Sequence, residues 1–312
     1  MTTSKQTRRL TKDVILRPVT LLALCLLLSV TITTVTHADS NSTVRVQGLT
    51  LAPLRTELEI APGTVESGQL TIYNTTNTDM NVTMSAEAFN VVNSQYDYSF
   101  DSTSPITKWV QFDPGDIILA AGKSKTINYS ISVPLGASPG GNYISLFSTA
   151  SIGGTNQGVN SSERVGSLVY ITVSGDVTHM GHVLNFFTPW VTAGSSDWTA
   201  TIQNAGTAHF ASAYSLSVQT LWNKPVLESS SSSLILPGTI RLIEGTIVQP
   251  QVPGIYKLVF TASLGDVPSV TLVHYIIYMP AYGWVILIAI ILFIINRAVR
   301  IVQRKRSKKQ TT

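Results

Sequence analysis

The sequence holds a single cysteine, Cys25, which lies inside an apolar run near the N-terminus. The rest of the chain can form no disulfide, so an exported fold must stand on ordinary core packing, which a region of about 240 residues can supply. Charge is also scarce, with Asp, Glu, Lys and Arg together at 12%. Acidic residues are absent from Ala281 to Thr312, and no charge of either sign occurs from Val267 to Asn296. Almost no helical periodicity is visible between the ends, which argues against a helix bundle.

The charge that is present is sorted. Met1 to Ala38 carries a balance of +4, Asp39 to Pro280 one of −7, and Ala281 to Thr312 one of +7. Each basic block adjoins an apolar run, where the positive-inside rule places cytoplasmic flanks, so the acidic middle block is expected outside. Once the basic ends are set aside no basic face remains for nucleic acid, and that class of partner is discarded.

At the N-terminus Lys5, Arg8, Arg9, Lys12 and Arg17 precede an apolar core from Val19 to about Val30, then Thr36, His37 and Ala38. This reads as a signal peptide over 1–38 with a small residue at the cleavage edge; an uncleaved anchor is the alternative. Leu24 before Cys25 is too large for a lipoprotein signal. At the other end Pro280 divides two physically different halves. VTLVHYIIY is β-branched and aromatic like a closing strand, whereas Trp284 to Ile295 is a Leu/Ile/Ala run with Tyr282 and Trp284 at its outer edge. A span of roughly twenty residues places a transmembrane helix over 282–302, with Arg297 and Arg300 reaching the inner headgroups and a basic cytoplasmic tail over 303–312.

The exported body alternates with period two. Met80, Val82, Met84, Ala86 and Ala88 alternate with polar neighbours, as do Ile127, Tyr129, Ile131 and Val133, so each segment has one buried and one wet face. Further strands are expected near Leu58–Ile60, Gln69–Tyr73, Lys108–Phe112, Tyr143–Ser148 and Leu168–Val173, separated by turn residues. A second set follows: Val183–Phe187, Trp198–Ile202, Ser215–Leu221, Ser233–Leu236, Arg241–Ile247, Tyr256–Ala262 and Val270–Tyr278. The pattern is all-β, with two tandem immunoglobulin-like antiparallel β-sandwiches over 44–174 and 177–278. Two punctuation marks recur in order: an Asn turn after a strand (IYNTT, IQNAGT) and a Pro-Gly lead-in to a strand opened by Tyr (SPGGNYISL, VPGIYKLVF). Tyr143 and Tyr256 are therefore candidates for a tyrosine that ties down the neighbouring corner.

In this order the chain resembles the bacterial WxL-interacting cell-surface proteins. The stretches that carry the resemblance are LAPLRTELEIAPGTVESGQLTIYNTT and Ile117 through ISVPLGASPGGNY in the first sandwich, and IQNAGT, LILPGTIRLIEG and PGIYKLVF in the second. The resemblance implies a first domain that binds peptidoglycan, a second that binds a surface partner or host protein, and a single-pass anchor. No ligand-contacting residue carries over, because the matching motifs are scaffold.

LPGTI at Leu236 resembles a sortase signal, but it has Ile240 where Gly is required and lies far upstream of the span, so it reads as a turn. His179 and His182 could share a metal in the linker, but no Cys or acidic cluster completes the site. Asp97, Asp101, Asp113 and Asp116 lack the dense alternate spacing of a calcium loop and read as solvated turn acids. No Gly-framed nucleophile appears, although a catalytic triad can be scattered in sequence. No cofactor or metal is expected.

What remains is aromatic. NSQYDYSFD interrupts the strand pattern, and Phe186, Phe187 and Trp190 cluster at the start of the second sandwich. Rings in loops stack on sugars or anchor proteins, and equally they plug a core or a domain junction. Tyr96, Tyr98 and Trp190 are the candidate binding residues. The expectation is a non-catalytic surface protein that binds peptidoglycan or a partner protein; a wall-modifying hydrolase and a passive spacer are the rivals.

Overall fold

A computed structural model describes residues 48–152 and 161–309; the expected signal peptide lies outside the described residues. Ten strands build the first sandwich: β1 (Leu49–Ala52), β2 (Arg55–Ile60), β3 (Val65–Asn74), β4 (Met80–Val91), β5 (Tyr98–Asp101), β6 (Val110–Asp113), β7 (Asp116–Leu119), β8 (Ser124–Ser132), β9 (Gly140–Ile152) and β10 (Ser161–Val173). One sheet runs β1-β3-β8-β6 and the other β2-β10-β9-β4-β5, with β7 also paired to β4. Alternation decides which side chains meet between them. Leu70, Ile72, Ile127 and Ile131 from the first sheet pack on Val82, Ile144, Leu146, Val169 and Ile171 from the second, all buried in one core.

Eight strands build the second sandwich: β11 (Gly181–Phe187), β12 (Val191–Thr192), β13 (Ser196–Asn204), β14 (Phe210–Thr220), β15 (Pro225–Ile235), β16 (Ile240–Ile247), β17 (Gly254–Leu264) and β18 (Val267–Tyr278). Its sheets run β11-β13-β16 and β12-β18-β17-β14-β15. Trp198, Ile202 and Ile243 face Leu216, Leu258, Phe260 and Ile276 in its core.

The two sandwiches open in the same way. β1 pairs antiparallel with β3, the chain crosses sheets, and β2 pairs parallel with β10. Likewise β11 pairs antiparallel with β13, and β12 pairs parallel with β18. The two parallel pairings depart from the antiparallel expectation, because a first strand that closes both sheets must meet the last strand of its sandwich in the same direction.

The recurrent Asn turns are built alike. Asn74 donates its side-chain amide to the carbonyls of Thr78 at 2.8 Å and Leu119 at 3.0 Å, and accepts the Thr76 N–H. Asn204 donates to Ala208 at 2.9 Å and Ile235 at 2.8 Å, and accepts the Gly206 N–H. Each buried amide thereby satisfies backbone groups that water cannot reach.

Two local expectations change. Lys108 and Trp109 lie in a 3-10 turn, Pro105–Trp109, rather than at the start of a strand. The Ser-rich run of β15 is a full edge strand paired along β14, although it shows no apolar alternation. After β18, Met279 and Pro280 lead into α1 (Ala281–Lys309). Over Ala281–Ile301 this helix is long and apolar enough to cross a membrane.

Candidate functional site

Three surfaces have the geometry to bind something, and the first is already occupied by the protein itself. The outer face of the β2-β10-β9-β4-β5 sheet carries Phe89, Tyr143, Phe147 and Tyr170. Phe89 packs edge-on against Tyr98 and Tyr170, at ring separations of 5.4 Å in both cases. Across the gap His209 of the second sandwich sits 5.5 Å from the Tyr143 ring and 5.4 Å from the Tyr170 ring. Nearby, the Gly141 N–H donates to the Thr207 carbonyl at 3.0 Å. Gly140, at φ 128°, leaves no room for a Cβ against that same carbonyl. The SPGG motif is thus both a strand lead-in and a junction contact.

Tyr96 belongs to this junction and is 6% exposed. Its hydroxyl accepts the Leu236 N–H at 2.8 Å and lies 2.8 Å from the Thr239 hydroxyl. The Arg241 guanidinium covers its ring at 4.1 Å, and burial raises its pKa above the ordinary tyrosine value. The Leu242 N–H donates to the Ser94 carbonyl at 2.8 Å, extending the same contact. Of the three candidate residues, Tyr96 has therefore spent its ring and its hydroxyl inside the chain. LPGTI is the turn on which it docks: Gly238 sits at φ 71°, and the Thr239 N–H returns to the Leu236 carbonyl.

Tyr98 is 40% exposed and Trp190 is 74% exposed. Tyr98 and Phe100 form an aromatic ridge on β5, the latter edge-on to Phe147 at 5.0 Å. Arg164 lies over Phe147 at 3.4 Å and Arg55 over Tyr170 at 5.0 Å. Trp190 rests against His274 at 5.7 Å. Phe186, by contrast, stacks on Phe260 at 5.0 Å inside the second core.

The two tyrosines of the repeated motif diverge. The Tyr256 hydroxyl donates to the Val252 carbonyl at 2.6 Å, four residues upstream, and ties down that corner. The Tyr143 hydroxyl instead lies 3.4 Å from Nδ1 of His209. Burial at the junction pushes its pKa upward.

The second surface is a cleft of about 390 Å³ beside the junction, lined by Glu57, Glu59, His179 and His209 among others. It is the one place among the described clefts where histidines and carboxylates converge, as a hydrolase would require. Nε2 of His209 is 3.9 Å from a Glu57 oxygen, but tyrosine rings flank the imidazole, and burial lowers its pKa although Glu57 opposes that shift. His179 is held by Asp266 at 3.1 Å, and His182 is exposed, so the two linker histidines do not converge on a metal. Among the described residues no group of three His, Cys, Asp or Glu could hold one. Asp97 and Asp101 serve their own turns, accepting from Asn93 and Thr103.

The third surface escaped sequence reasoning because it has no motif. The outer face of β1-β3-β8-β6 presents Ser67, Gln69, Thr71 and Tyr73 on β3, Thr126, Asn128 and Ser130 on β8, and Gln111 and Asp113 on β6. Register aligns them into rows, Gln111–Ser130–Ser67 and Asp113–Asn128–Gln69. A shallow depression of about 730 Å³ lies over these two rows. The Gln69 amide donates to Asn128 at 3.0 Å, and Thr71 meets Thr126 at 3.1 Å. Among the described residues in these rows, Asp113 is the one charged side chain. The signal was present in the sequence only as the polar half of the alternation.

No family model and no curated protein matches the sequence. Solved structures do. The class 5 fimbriae chaperone CfaA aligns with 73% of this chain and 99% of its own, at 11% identity and a TM-score of 0.40. The complex of Salmonella enterica SafA pilin with the SafB chaperone aligns with 74% of this chain and 95% of that one, at 15% identity and a TM-score of 0.36. A protein of unknown function from Porphyromonas gingivalis aligns over 73% and 99%, at 16% identity and a TM-score of 0.30. Matches of this strength carry no argument about what the chain binds.

Proposed function

We propose that the chain is a non-catalytic, membrane-anchored bacterial surface protein whose first sandwich binds cell-wall glycan on the outer face of β1-β3-β8-β6. The observation that carries this reading is the hydroxyl and amide grid just described. An outer sheet face kept wet only for solubility typically bears interspersed Lys and Glu, whereas this one bears neutral donors and acceptors. Side chains about 4.8 Å apart within each row, and rows about 6.8 Å apart along the strands, suit the repeated hydroxyl and acetamido groups of peptidoglycan, and Tyr73 adds a ring at the edge. The resemblance to the WxL-interacting proteins supports the same assignment. In this reading α1 is a single-pass anchor, with the sandwiches outside and the basic tail in the cytoplasm.

A soluble disaccharide-peptide from peptidoglycan tests the site by NMR. It should shift the side-chain amide signals of Gln69, Gln111 and Asn128; shifts confined to other residues would remove this face as the site.

A second reading has its own observation. Tyr98, Phe100 and Trp190 remain at the surface, Arg55 and Arg164 lie over the adjoining Tyr170 and Phe147 rings, and aromatic and Arg side chains are the usual anchors of protein interfaces. A partner surface protein bound there would not compete with glycan on the opposite sheet.

A further inference from the structure

The end of the second sandwich that faces α1 is ringed by apolar side chains that stay exposed among the described residues. Three loops meet there: 193–195 between β12 and β13, Leu221–Lys224 between β14 and β15, and 248–253 between β16 and β17. Register puts them at one end, since Thr192 pairs with Tyr278, Gly254 with Tyr278, and Thr220 with Tyr256. The helix starts from the same place. The Tyr282 hydroxyl donates to the Gln251 carbonyl at 3.3 Å, and the Met279 N–H donates to Thr192 at 2.8 Å.

Trp222 is 85% exposed at this end, with Val248 at 61% and Val252 at 64%; Leu221 is also exposed. Trp222 is not on a loose tip. The Thr220 N–H donates to the Lys224 carbonyl at 2.9 Å, the Asn223 N–H to Thr220 at 3.0 Å, and Lys257 to the Asn223 side chain at 3.0 Å. An ordered turn thus holds a bare indole outward. No acidic residue occurs in 220–225 or 247–257, while Lys224 and Lys257 do.

We infer that this collar rests in the headgroup layer of the membrane that α1 crosses, so that the second sandwich is seated on lipid rather than swinging from a tether. The inference rests on the reading of Ala281–Ile301 as a membrane span. Only Met279 and Pro280 separate Tyr278 from α1, so at about 3.5 Å per residue the last strand lies within about 10 Å of the start of the span. The headgroup layer is itself about 5–8 Å thick. Loops level with Tyr278 are therefore held close to the headgroup layer. Indole rings favour that layer, where one edge stays wet and the face is apolar, and Lys224 and Lys257 suit anionic headgroups.

The near absence of cysteine makes the test direct. In a Cys25→Ser background, the full chain carries one cysteine at a time, Trp222→Cys, Val248→Cys, Ser231→Cys or Leu292→Cys, labelled with an environment-sensitive fluorophore. Each is reconstituted in phosphatidylcholine–phosphatidylglycerol vesicles. The expected result is several-fold weaker quenching by aqueous iodide at 222 and 248 than at 231, with strong quenching by headgroup-attached nitroxide. Labels at 222 and 248 that behave like 231, while 292 is shielded in the bilayer, would overturn the collar and leave the anchor intact. Exposure of 292 to iodide would remove the anchor, and the collar with it.

Discussion

The Tyr96 hydroxyl accepts the Leu236 backbone N–H at 2.8 Å, joining the β4–β5 loop of the first sandwich to the LPGT turn of the second. The bond is made in a setting closed to water, and the cation over the ring comes from the turn's own following strand. A residue that looked like a ligand contact is a weld between domains.

Tyr96→Phe should therefore destabilise the chain by about 1–3 kcal/mol, the cost of leaving a buried N–H without a partner. Tyr96→Ala should cost about 3–5 kcal/mol, because the ring volume is lost as well. Urea denaturation of the detergent-solubilised chain reads both; equal effects would mean that the hydroxyl is idle.

Folded stability should fall in mild acid through His209. Burial lowers its pKa in the fold, so below the usual value of about 6.5 the unfolded chain binds a proton that the native chain refuses. The contribution is complete above that pH and is lost as pH falls from there towards the lowered folded value. Thermal melts from pH 8 to pH 5 should show the decline, and His209→Gln should flatten it. An unchanged slope in the variant would place the sensitivity elsewhere.

Asn74→Ala and Asn204→Ala should be equivalent lesions in the two sandwiches, each costing at least about 1–3 kcal/mol for the buried groups left unpaired. Denaturation of each single variant measures this. A large loss in one sandwich and none in the other would contradict the shared architecture.

Much of this was legible in sequence, for identifiable reasons. Met80, Val82 and Met84, or Ile127, Tyr129 and Ile131, alternate because one sheet face is core and the other water, and IYNTT and IQNAGT repeat because a buried amide is needed at one corner of each sandwich. The Ser run of β15 was mostly invisible because an edge strand needs no apolar pattern when its pairing comes from backbone alone. Tyr143 and Tyr256 share a motif yet differ in role, since only Tyr143 lies on a face that a second domain covers. The polar grid around Gln69 and Asn128 could not be read, because cross-strand register brings together residues 59 apart.

Tyr98→Ala combined with Trp190→Ala separates the binding readings. Trp190 is mostly exposed, so its loss should change stability by no more than about 0.5 kcal/mol, whereas Tyr98 packs edge-on against Phe89 and its loss should cost about 0.5–1.5 kcal/mol without unfolding the chain. Glycan retention should be unchanged, while capture of a partner surface protein should fall. Unchanged associations of every kind would support a passive spacer.

The most direct test is co-sedimentation of the detergent-solubilised chain with purified insoluble peptidoglycan, wild type beside the triple variant Gln69→Ala, Gln111→Ala and Asn128→Ala. The account predicts that the wild-type chain pellets with the glycan and that the equally folded triple variant stays in solution. Wild-type protein that remains soluble, or a variant that pellets as well as wild type, would contradict it.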